Sequence, residues 1–539
     1  MSAHVEDRTG EIVTTSVQPI LFNGQWVASQ GTTTFQAVNP ATEQPMPQVF
    51  PVSPWSELDA VLEVAHETSK AMRGWPGSRF AEFLETYAKE IEARADILVE
   101  TAHAETGLAK SPRLKDVELV RTTNQLRQAA ASARDESWRV PVIDTASNIR
   151  SMFGALGPVV VFGPNNFPYA YNGIAGGDFA GAIAAGNPVI AKGHPCHPET
   201  TRLFGEAAVA AIKSTGMPSG LVQLVYRTSH EDGLKLVSDE RIGAVGYTGA
   251  RTTGLKLKAA ADGAGKPIYL ELSSINPVFM MAGALAERLE KIADEFCTSC
   301  LMATGQFCTN PGLIVVPSGD VGSAFIKAVA ERFSKAPVGT MLAEGVRKSF
   351  LAAVQTILNA GASLVVGGQS GGGKGVSCQN TLLKVSGKQF LANPHAFQTE
   401  AFGNGSLMVQ ADSVAQMAEI AEALEGNLTG SIYSDTTGKD DADYPIVERV
   451  LRTRVGRLLN DKMPTGVAVV PSMNHGGPYP ATGHPGFTAV GMPASVTRFG
   501  MLQCYDAVRQ QRLPAVLQDK NPGGVWRRIN GQWTQADVG

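Results

Sequence analysis

Residues 158–192 read PVVVFGPNNFPYAYNGIAGGDFAGAIAAGNPVIAK, and they carry the clearest evidence on the fold. A short apolar run at Val159–Phe162 is followed by a small-residue segment at Gly173–Ala185 and then by a second apolar run at Val189–Ala191. We predict a strand, a helix and a strand in that order. Continuous apolar strands between helices are typical of a parallel sheet that is covered on both faces. This stretch therefore predicts an α/β fold.

The same alternation continues on the C-terminal side and restarts after Asn276. The first set adds strands at Leu221–Tyr226 and Ile242–Tyr247 and helices at Glu199–Ser214 and Ala250–Ala261. The second set has strands at Pro277–Met281, Leu313–Pro317 and Ser406–Val409 and helices at Leu285–Cys300, Gly322–Ser334 and Ser413–Leu424. Two such sets predict two doubly wound parallel-sheet α/β domains.

Composition and charge argue against several classes of protein. The 539 residues are 43% hydrophobic, which predicts two or more domains of about 150 residues each. The net charge is −4 and no basic run is interleaved with aromatic residues, so a nucleic-acid-binding protein is not expected. No apolar run approaches the roughly 18 residues of a transmembrane helix, and the N-terminus lacks the pattern of a secretory signal. We expect a cytoplasmic protein that does not bind a membrane.

The six cysteines do not form the pattern of a disulfide framework or of a metal site. Cys297 and Cys300 are spaced as C-x-x-C, but a zinc site of this type needs a second pair, which the sequence lacks. Both lie in a segment with a helical pattern, where packing on one helix face is the simpler interpretation. We therefore predict no metal site.

Two glycine-containing segments are candidate phosphate-binding sites. Residues 368–375 read GQSGGGKG, which lacks the final Ser or Thr of a P-loop and is interpreted as a surface turn. The turn at Gly246–Arg251 lies between a predicted strand and a predicted helix. The free N–H groups of such a helix N-terminus can bind a pyrophosphate.

Three side chains outside this turn suggest covalent catalysis. Cys308 lies in a turn just before a predicted strand, Asn166 follows the first strand, and Glu271 ends another predicted strand. A single cysteine is more often a buried core thiol, because free cysteine is among the most buried residue types. A thiol nucleophile, an amide donor and a carboxylate base are together the parts that catalysis through a thioester requires.

Six motifs occur in an order that resembles the NAD(P)-dependent aldehyde dehydrogenase superfamily, over about residues 22–505. The motifs are Phe162–Pro168, Ala184–Lys192, Tyr247–Gly249, Leu270–Leu272, Gly305–Cys308 and Glu400–Gly403. The resemblance implies an aldehyde dehydrogenase-like α/β fold with a small oligomerisation arm beside the two domains.

The resemblance also implies how the chain divides into domains. We predict a dinucleotide-binding domain from residues 19–135 and 155–274 and a catalytic domain from residues 275–484. Residues 136–154 and 485–539 would form the oligomerisation arm and a C-terminal tail, and residues 1–18 a disordered lead-in. The expected partners are an aldehyde substrate and further copies of the chain, as a homodimer or homotetramer.

In the chemistry that the resemblance implies, the Cys308 thiolate attacks the aldehyde carbon. The side-chain amide of Asn166 and the backbone N–H of Cys308 would stabilise the resulting oxyanion. After hydride transfer, Glu271 would act as the general base for the water that hydrolyses the thioester.

The resemblance assigns further residues to the cofactor. Lys192 would contact the adenosine ribose, Gly249 and Ala250 the pyrophosphate, and Glu400 the nicotinamide ribose, with Phe402 packed nearby. Alone, each of these residues could have a structural role instead, as a surface charge or a helix cap.

The sequence after Lys192 departs from the superfamily pattern. Here the chain continues Gly193-His194-Pro195, without the glutamate that hydrogen-bonds a ribose 2′-hydroxyl. A carboxylate would repel a 2′-phosphate, so its absence permits NADP. Arg227, at the adenine end, suits recognition of a phosphate. We predict that NADP is preferred, with NAD possible.

The segments at residues 192–195, 271–277, 463–466 and 475–480 resemble the α-ketoglutaric semialdehyde (2,5-dioxopentanoate) dehydrogenases. That substrate carries a carboxylate, for which Arg121 is the candidate partner, although a surface arginine on a helix is the simpler interpretation. The substrate tunnel would be lined by Phe167, Tyr171 and Phe307.

Two alternative functions remain open from the sequence. The first is an NADP-dependent dehydrogenase of fatty or other medium- or long-chain aldehydes. The second is a catalytically silent binding protein on the same fold, since a fold alone does not fix a function. Transfer of the acyl group to coenzyme A is disfavoured because Glu271 is present as a hydrolytic base.

Overall fold

The computed structural model describes residues 2–6 and 12–539. The strands are Ser2–Glu6 (β1), Ile12–Ser16 (β2), Ile20–Phe22 (β3), Gln25–Val27 (β4), Thr34–Asn39 (β5), Gln44–Ser53 (β6), Val142–Asp144 (β7), Ile149–Ala155 (β8), Val159–Phe162 (β9), Val189–Lys192 (β10), Val222–Val225 (β11), Arg227–Thr228 (β12), Ala244–Thr248 (β13), Ile268–Glu271 (β14), Val278–Met280 (β15), Leu313–Pro317 (β16), Ser363–Val366 (β17), Thr381–Ser386 (β18), Gly405–Ala411 (β19), Asn427–Tyr433 (β20), Val455–Asn460 (β21), Gly500–Asp506 (β22), Arg527–Ile529 (β23) and Gln532–Thr534 (β24).

The helices follow the amphipathic segments of the sequence. They are Trp55–Ala71 (α1), Gly77–Glu92 (α2), Ala95–Thr106 (α3), Val120–Asp135 (α4), Gly177–Ala184 (α5), Pro198–Thr215 (α6), His230–Val237 (α7), Arg251–Gly263 (α8), Ala282–Leu301 (α9), Asp320–Lys335 (α10), Glu344–Asn359 (α11), Gly387–Ala392 (α12), Pro394–Phe397 (α13), Val414–Glu422 (α14), Tyr444–Arg454 (α15) and Ala494–Thr497 (α16). A π-helical segment, Lys110–Leu119, leads into α4. Among the described residues, no helix is both long and apolar enough to span a membrane.

The first seven-stranded sheet has the order β14-β13-β9-β10-β11-β3-β4, and its first five strands are parallel. These strands are buried and apolar, as the sequence pattern predicts, since helices cover both faces. The chain runs from β9 to β10 and β11 on one side and later returns to β13 on the other. The strand order therefore reverses between β9 and β13, and the carboxyl ends there form the crevice where such sheets bind ligands.

The second seven-stranded sheet has the order β17-β18-β19-β16-β15-β20-β21, and all of its neighbouring pairs except β17-β18 are parallel. It has its own apolar cores on its two faces. The two parallel sheets confirm the predicted fold class, and each predicted strand has a counterpart within a few residues of its expected position.

A five-stranded sheet of order β22-β8-β7-β23-β24 joins residues 142–155 to the C-terminal part of the chain. Residues 136–154, which the resemblance assigns to the oligomerisation arm, contain β7 and most of β8. The exact domain boundaries and the predicted homodimer or homotetramer stay predictions.

The predicted disordered lead-in over residues 1–18 needs correction where the chain is described; residues 1 and 7–11 lie outside the described residues. β1 pairs with β2 in antiparallel register, and the backbone N–H of Gln18 donates to the carbonyl of Val49 at 2.8 Å. The β-branched residues of Ile12–Ser16 favour a strand, which the polar composition of the segment obscured.

Candidate active site

The three candidate catalytic residues lie on loops that the two sheets bring together. Asn166 is in the loop after β9, and Glu271 is the last residue of β14, paired in register with Thr248. Both therefore lie at the carboxyl edge of the first sheet. Cys308 is in the segment that leads into β16 of the second sheet. The amide of Asn166 donates to the carbonyl of Gln306 at 3.0 Å, so the two sheets meet at this point.

A sharp turn sets the position of Cys308. Ala303, Thr304 and Gly305 all have left-handed backbone angles, with φ of 46°, 59° and 66°. Two non-glycine residues in succession in this region are uncommon. At Gly305 a Cβ atom would lie 2.1 Å from the carbonyl oxygen of Gly403, so only glycine fits there. The turn reverses the chain after α9 and presents the cysteine to the crevice.

Glu271, Cys308 and His475 form a compact triangle. The Nε2 atom of His475 lies 2.9 Å from the Oε1 atom of Glu271 and 3.5 Å from the Sγ atom of Cys308. His475 is 3% exposed and Glu271 is 5% exposed. The other carboxylate oxygen of Glu271 is buried without a hydrogen-bond partner among the described residues. One imidazole nitrogen thus faces both the thiol and the carboxylate.

The protonation states of this triangle follow from burial and charge. Burial, and then the negative charge of Glu271, raises the pKa of the Cys308 thiol well above its ordinary value, while the positive charge of Arg121 opposes this shift. Burial would raise the pKa of the Glu271 carboxyl, but His475 and a hydrogen bond from Cys308 outweigh it and hold that pKa below its ordinary value. At neutral pH the thiol is therefore protonated and the carboxylate is ionised.

An oxyanion could be stabilised beside Cys308. The Asn166 side chain is 6% exposed and uses one amide hydrogen on Gln306, which leaves the second hydrogen available. The backbone N–H of Cys308 forms no hydrogen bond with another of the described residues. Through Gln306, the Asn166 amide lies in the same loop region as the Cys308 N–H, and fixed donors of this kind stabilise a developing negative charge on oxygen.

A buried ion pair fixes the Asn166 loop. Glu118 is fully buried and accepts hydrogen bonds from the backbone N–H groups of Tyr169 and Ala170, at 2.8 and 3.0 Å. Arg113 pairs with Glu118 and also donates to the carbonyl oxygen of Asn166 at 3.0 Å. The segment before α4 therefore determines where the Asn166 amide lies.

On the other side, Asn276 holds the nucleophile loop. Its amide donates to the carbonyl oxygens of Cys308 and Asn310, both at 2.9 Å. Its backbone has φ of 46°, a left-handed conformation that asparagine tolerates better than most residues.

Two cations lie where the sequence predicts the adenosine end of a cofactor. Lys192 ends β10 and Arg227 begins β12. Burial and then the positive charge of Arg227 lower the pKa of Lys192 to about 8. Beside them, burial keeps the pKa of His194 well below its ordinary value, and Pro195 continues the same turn. A phosphate would relieve the repulsion between the two cations.

The predicted pyrophosphate site is the N-terminus of α8. Gly249 and Ala250 form the turn between β13 and α8, and no side chain caps this helix. Its first N–H groups can therefore bind an anion. This turn and Asn166 lie on the two sides of the crevice between β9 and β13.

Glu400 and Phe402 line a cavity together with Phe307. Glu400 accepts a long hydrogen bond, 3.4 Å, from the backbone N–H of Ser274. Burial raises the pKa of Glu400 to about 7, while hydrogen bonds from Ser273 and Ser274 lower it. Near neutral pH this carboxyl exists in both protonation states.

The predicted tunnel residues form an aromatic cluster next to Cys308. The ring of Phe167 lies 5.4 Å from the rings of both Tyr171 and Phe307, and Tyr171 lies 6.0 Å from the ring of His475. Arg121 is half-buried and donates to the hydroxyl of Tyr171 at 3.1 Å. Its guanidinium group is therefore turned toward the cluster rather than away from the protein.

Sequence reasoning missed two residues near this cluster. His475 begins the motif at residues 475–480, but the sequence predicts no catalytic role for it. Arg457, on β21, donates to the carbonyls of Pro464 and Gly466, and its Nε atom is buried without a partner among the described residues. Burial lowers the pKa of Arg457, whereas the negative charges that Cys308 and Tyr171 carry when ionised raise it. For His475, the only signal in the sequence was a histidine within a glycine-rich segment. No feature of the sequence pointed to a role for Arg457 in the site.

This chain is similar in sequence to known aldehyde dehydrogenases. The sequence profile of the aldehyde dehydrogenase family matches residues 26–442. The chain is 39% identical to alpha-ketoglutaric semialdehyde dehydrogenase 2 of Azospirillum brasilense over 522 residues, which are 93% of this chain and 96% of that protein. It is 34% identical to the alpha-ketoglutaric semialdehyde dehydrogenase of Acinetobacter baylyi, over 95% of this chain and 98% of that protein.

Solved structures share the fold at low sequence identity. Lactaldehyde dehydrogenase from Escherichia coli superposes with a TM-score of 0.78 at 21% identity, over 91% of this chain and 99% of that chain. The NAD⁺ complex of aldehyde dehydrogenase from Bacillus cereus superposes with a TM-score of 0.77 at 18% identity, over 92% and 97% of the chains. The profile match and the two relatives above 30% identity show that this chain belongs to the aldehyde dehydrogenase family and is an oxidoreductase acting on aldehydes.

Proposed function

We propose that this enzyme oxidises 2,5-dioxopentanoate, the semialdehyde of 2-oxoglutarate, to 2-oxoglutarate with NADP as the oxidant. The observation that carries the proposal is the half-buried Arg121 at the aromatic cluster beside Cys308. An arginine there suits a substrate with a carboxylate at the far end from the aldehyde. Arg457, with its unpartnered Nε atom, adds a second positive charge to the same region. A fatty aldehyde has no carboxylate, so it would leave the positive charges of Arg121 and Arg457 without a partner in the substrate.

The reaction begins at the triangle of Cys308, Glu271 and His475. As Sγ attacks the aldehyde carbon, the thiol proton moves to the carboxylate–imidazole pair, which lies within hydrogen-bonding reach. The new oxyanion accepts hydrogen bonds from the Asn166 amide and the Cys308 backbone N–H. When bound, the nicotinamide cofactor would supply the acceptor for the hydride of the thiohemiacetal carbon, which Cys308 and Asn166 would hold in place.

Release of the product depends on Glu271. The thioester on Cys308 is attacked by water, and Glu271 accepts the proton that the water loses. Its pKa below the ordinary value keeps the carboxylate ionised, and so ready to act as a base, at neutral pH. Collapse of the second tetrahedral intermediate gives the carboxylic acid and returns Cys308 to the thiol.

Replacing Arg121 with alanine tests the substrate assignment. Loss of a charge-assisted hydrogen bond is worth about 1.5–3 kcal/mol, so KM for 2,5-dioxopentanoate should rise by about 10- to 100-fold. The change should fall mainly on KM, because the carboxylate is held equally in the ground and transition states. Steady-state assays of NADPH formation measure both constants.

Two controls make this test specific. Pentanal, an aldehyde of the same length without the carboxylate, reports any effect that Arg121 has on the thiol itself. Arg127→Ala removes an exposed arginine from the same helix, where it pairs with Glu92. If Arg121→Ala changes the two aldehydes equally, or leaves KM for the dioxo acid unchanged, Arg121 does not bind the carboxylate.

The cofactor preference rests on Lys192 and Arg227. Two neighbouring cations, one with its pKa lowered to about 8, fit a 2′-phosphate, and the segment after Lys192 has no carboxylate to repel it. The uncapped N-terminus of α8 fits the pyrophosphate. These residues would bind and orient the dinucleotide, with Glu400 and Phe402 at its nicotinamide end.

Arg227→Ala should reduce kcat/KM for NADP by about 10- to 100-fold, which corresponds to the loss of one charge-assisted hydrogen bond. The value for NAD should change little, since NAD lacks the 2′-phosphate. NAD thus serves as the internal control in the same enzyme preparation. A clear preference of the unmodified enzyme for NAD would contradict the assignment.

A further inference from the structure

The donor atoms of Glu271, Cys308 and His475 converge on one point. The three ligand atoms all lie within 4.8 Å of one another, and each comes from a different residue type that binds zinc. The same three groups that exchange a proton during the reaction also surround a shared centre. The unpartnered Oε2 atom of Glu271 offers a further oxygen at the same place.

The sulfur–nitrogen spacing agrees with tetrahedral zinc. Zinc–sulfur and zinc–nitrogen bonds of about 2.3 and 2.05 Å, at the tetrahedral angle, separate the two ligand atoms by about 3.6 Å. The Sγ atom of Cys308 and the Nε2 atom of His475 are 3.5 Å apart. The corresponding nitrogen–oxygen spacing is about 3.4 Å, so Glu271 needs to withdraw by about 0.5 Å from its present 2.9 Å. Rotation of its side chain supplies such a shift.

We propose that, without cofactor and substrate, the enzyme binds one Zn²⁺ through Cys308, His475 and Glu271, with water in the fourth position, and is reversibly inactive in that form. Binding exchanges the thiol proton for the metal: the S–H bond breaks, a zinc–sulfur bond forms and the proton is released to solvent, with no change of oxidation state. The bound thiolate cannot attack an aldehyde and is shielded from alkylating agents.

Cobalt is the probe for this site, because tetrahedral Co²⁺ absorbs in the visible and its thiolate bond absorbs in the near ultraviolet. The full-length enzyme, in buffer free of thiols and cofactor, is titrated with CoCl₂ and then with ZnCl₂. We expect one Co²⁺ per chain with both bands, displacement by Zn²⁺, and full recovery of activity on addition of EDTA. Absence of the thiolate band would overturn the proposal.

Variants locate the metal without relying on turnover. Cys308→Ser should abolish the thiolate band, and His475→Gln should weaken binding by at least about 10- to 100-fold. Cys504→Ser, which removes an exposed thiol, and Cys297→Ser, which breaks the C-x-x-C pair on α9, should leave binding unchanged. Binding of NADP to each variant checks that it is folded.

Two results would place the metal elsewhere and refute the site. One is stoichiometric binding that survives Cys308→Ser or His475→Gln. The other is binding that disappears in Cys297→Ser. These measurements need no substrate, so they remain informative even if 2,5-dioxopentanoate proves not to be oxidised.

Discussion

Cys308→Ser should lower kcat for aldehyde oxidation by about 10³- to 10⁶-fold, the range seen when a catalytic nucleophile is removed. A serine hydroxyl has a much higher pKa than a thiol, so the nearby carboxylate cannot ionise it, and no thioester can form. In the unmodified enzyme, mass spectrometry after acid quenching should find an acyl group on the peptide that contains Cys308. The variant should show neither the acyl group nor a burst of NADPH.

Cys504→Ser is the matched control, because it makes the same chemical change at an exposed thiol of β22, which belongs to the five-stranded sheet and to neither of the sheets that meet at Cys308. Its activity should equal that of the unmodified enzyme. If Cys308→Ser keeps more than about a tenth of the activity, the nucleophile assignment is wrong.

The second large effect is expected at Asn166. Asn166→Ala removes one of the two donors to the oxyanion and should lower kcat by about 10²- to 10³-fold, or about 2.7–4 kcal/mol of transition-state stabilisation. Substrate and cofactor binding should change much less, since the negative charge on oxygen develops only during the reaction. Single-turnover kinetics of NADPH formation isolate the affected step.

The neighbouring asparagine provides the control. Asn165→Ala makes the same truncation one residue away, and Asn165 forms no side-chain hydrogen bond with other described residues. Its kcat should stay near that of the unmodified enzyme. Equal losses in both variants would mean that the loop, rather than the Asn166 amide, is responsible.

The fold was largely predictable from local sequence patterns. Buried parallel strands are continuous apolar runs, and the segments at Val159–Phe162 and Val189–Ala191 stand out because helical segments separate them. The prediction of disorder at the N-terminus is wrong for β1 and β2, which pair with each other. Their pairing depends on backbone hydrogen bonds, and a polar segment with little apolar alternation gives no clear sign of it in the sequence.

The site was only partly predictable, because its residues meet through long-range contacts. His475 lies 204 residues from Glu271 and 167 from Cys308, and no local pattern links them. The Arg113–Glu118 pair lies 51–53 residues before the loop residues that it contacts, and an arginine and a glutamate on a helix usually indicate an exposed pair. Cys308, Asn166 and Glu271 were predictable as catalytic residues because each lies in one of the six motifs. The order of these motifs along the chain resembles that of the aldehyde dehydrogenase superfamily.

The proposed function is tested most directly by comparing kcat/KM for three aldehydes with NADP: 2,5-dioxopentanoate, succinic semialdehyde and hexanal. We expect the highest value for 2,5-dioxopentanoate, with stoichiometric formation of 2-oxoglutarate and NADPH. A higher value for hexanal would contradict the role of Arg121 and the proposed substrate, and absence of turnover with all three would contradict the proposed function itself.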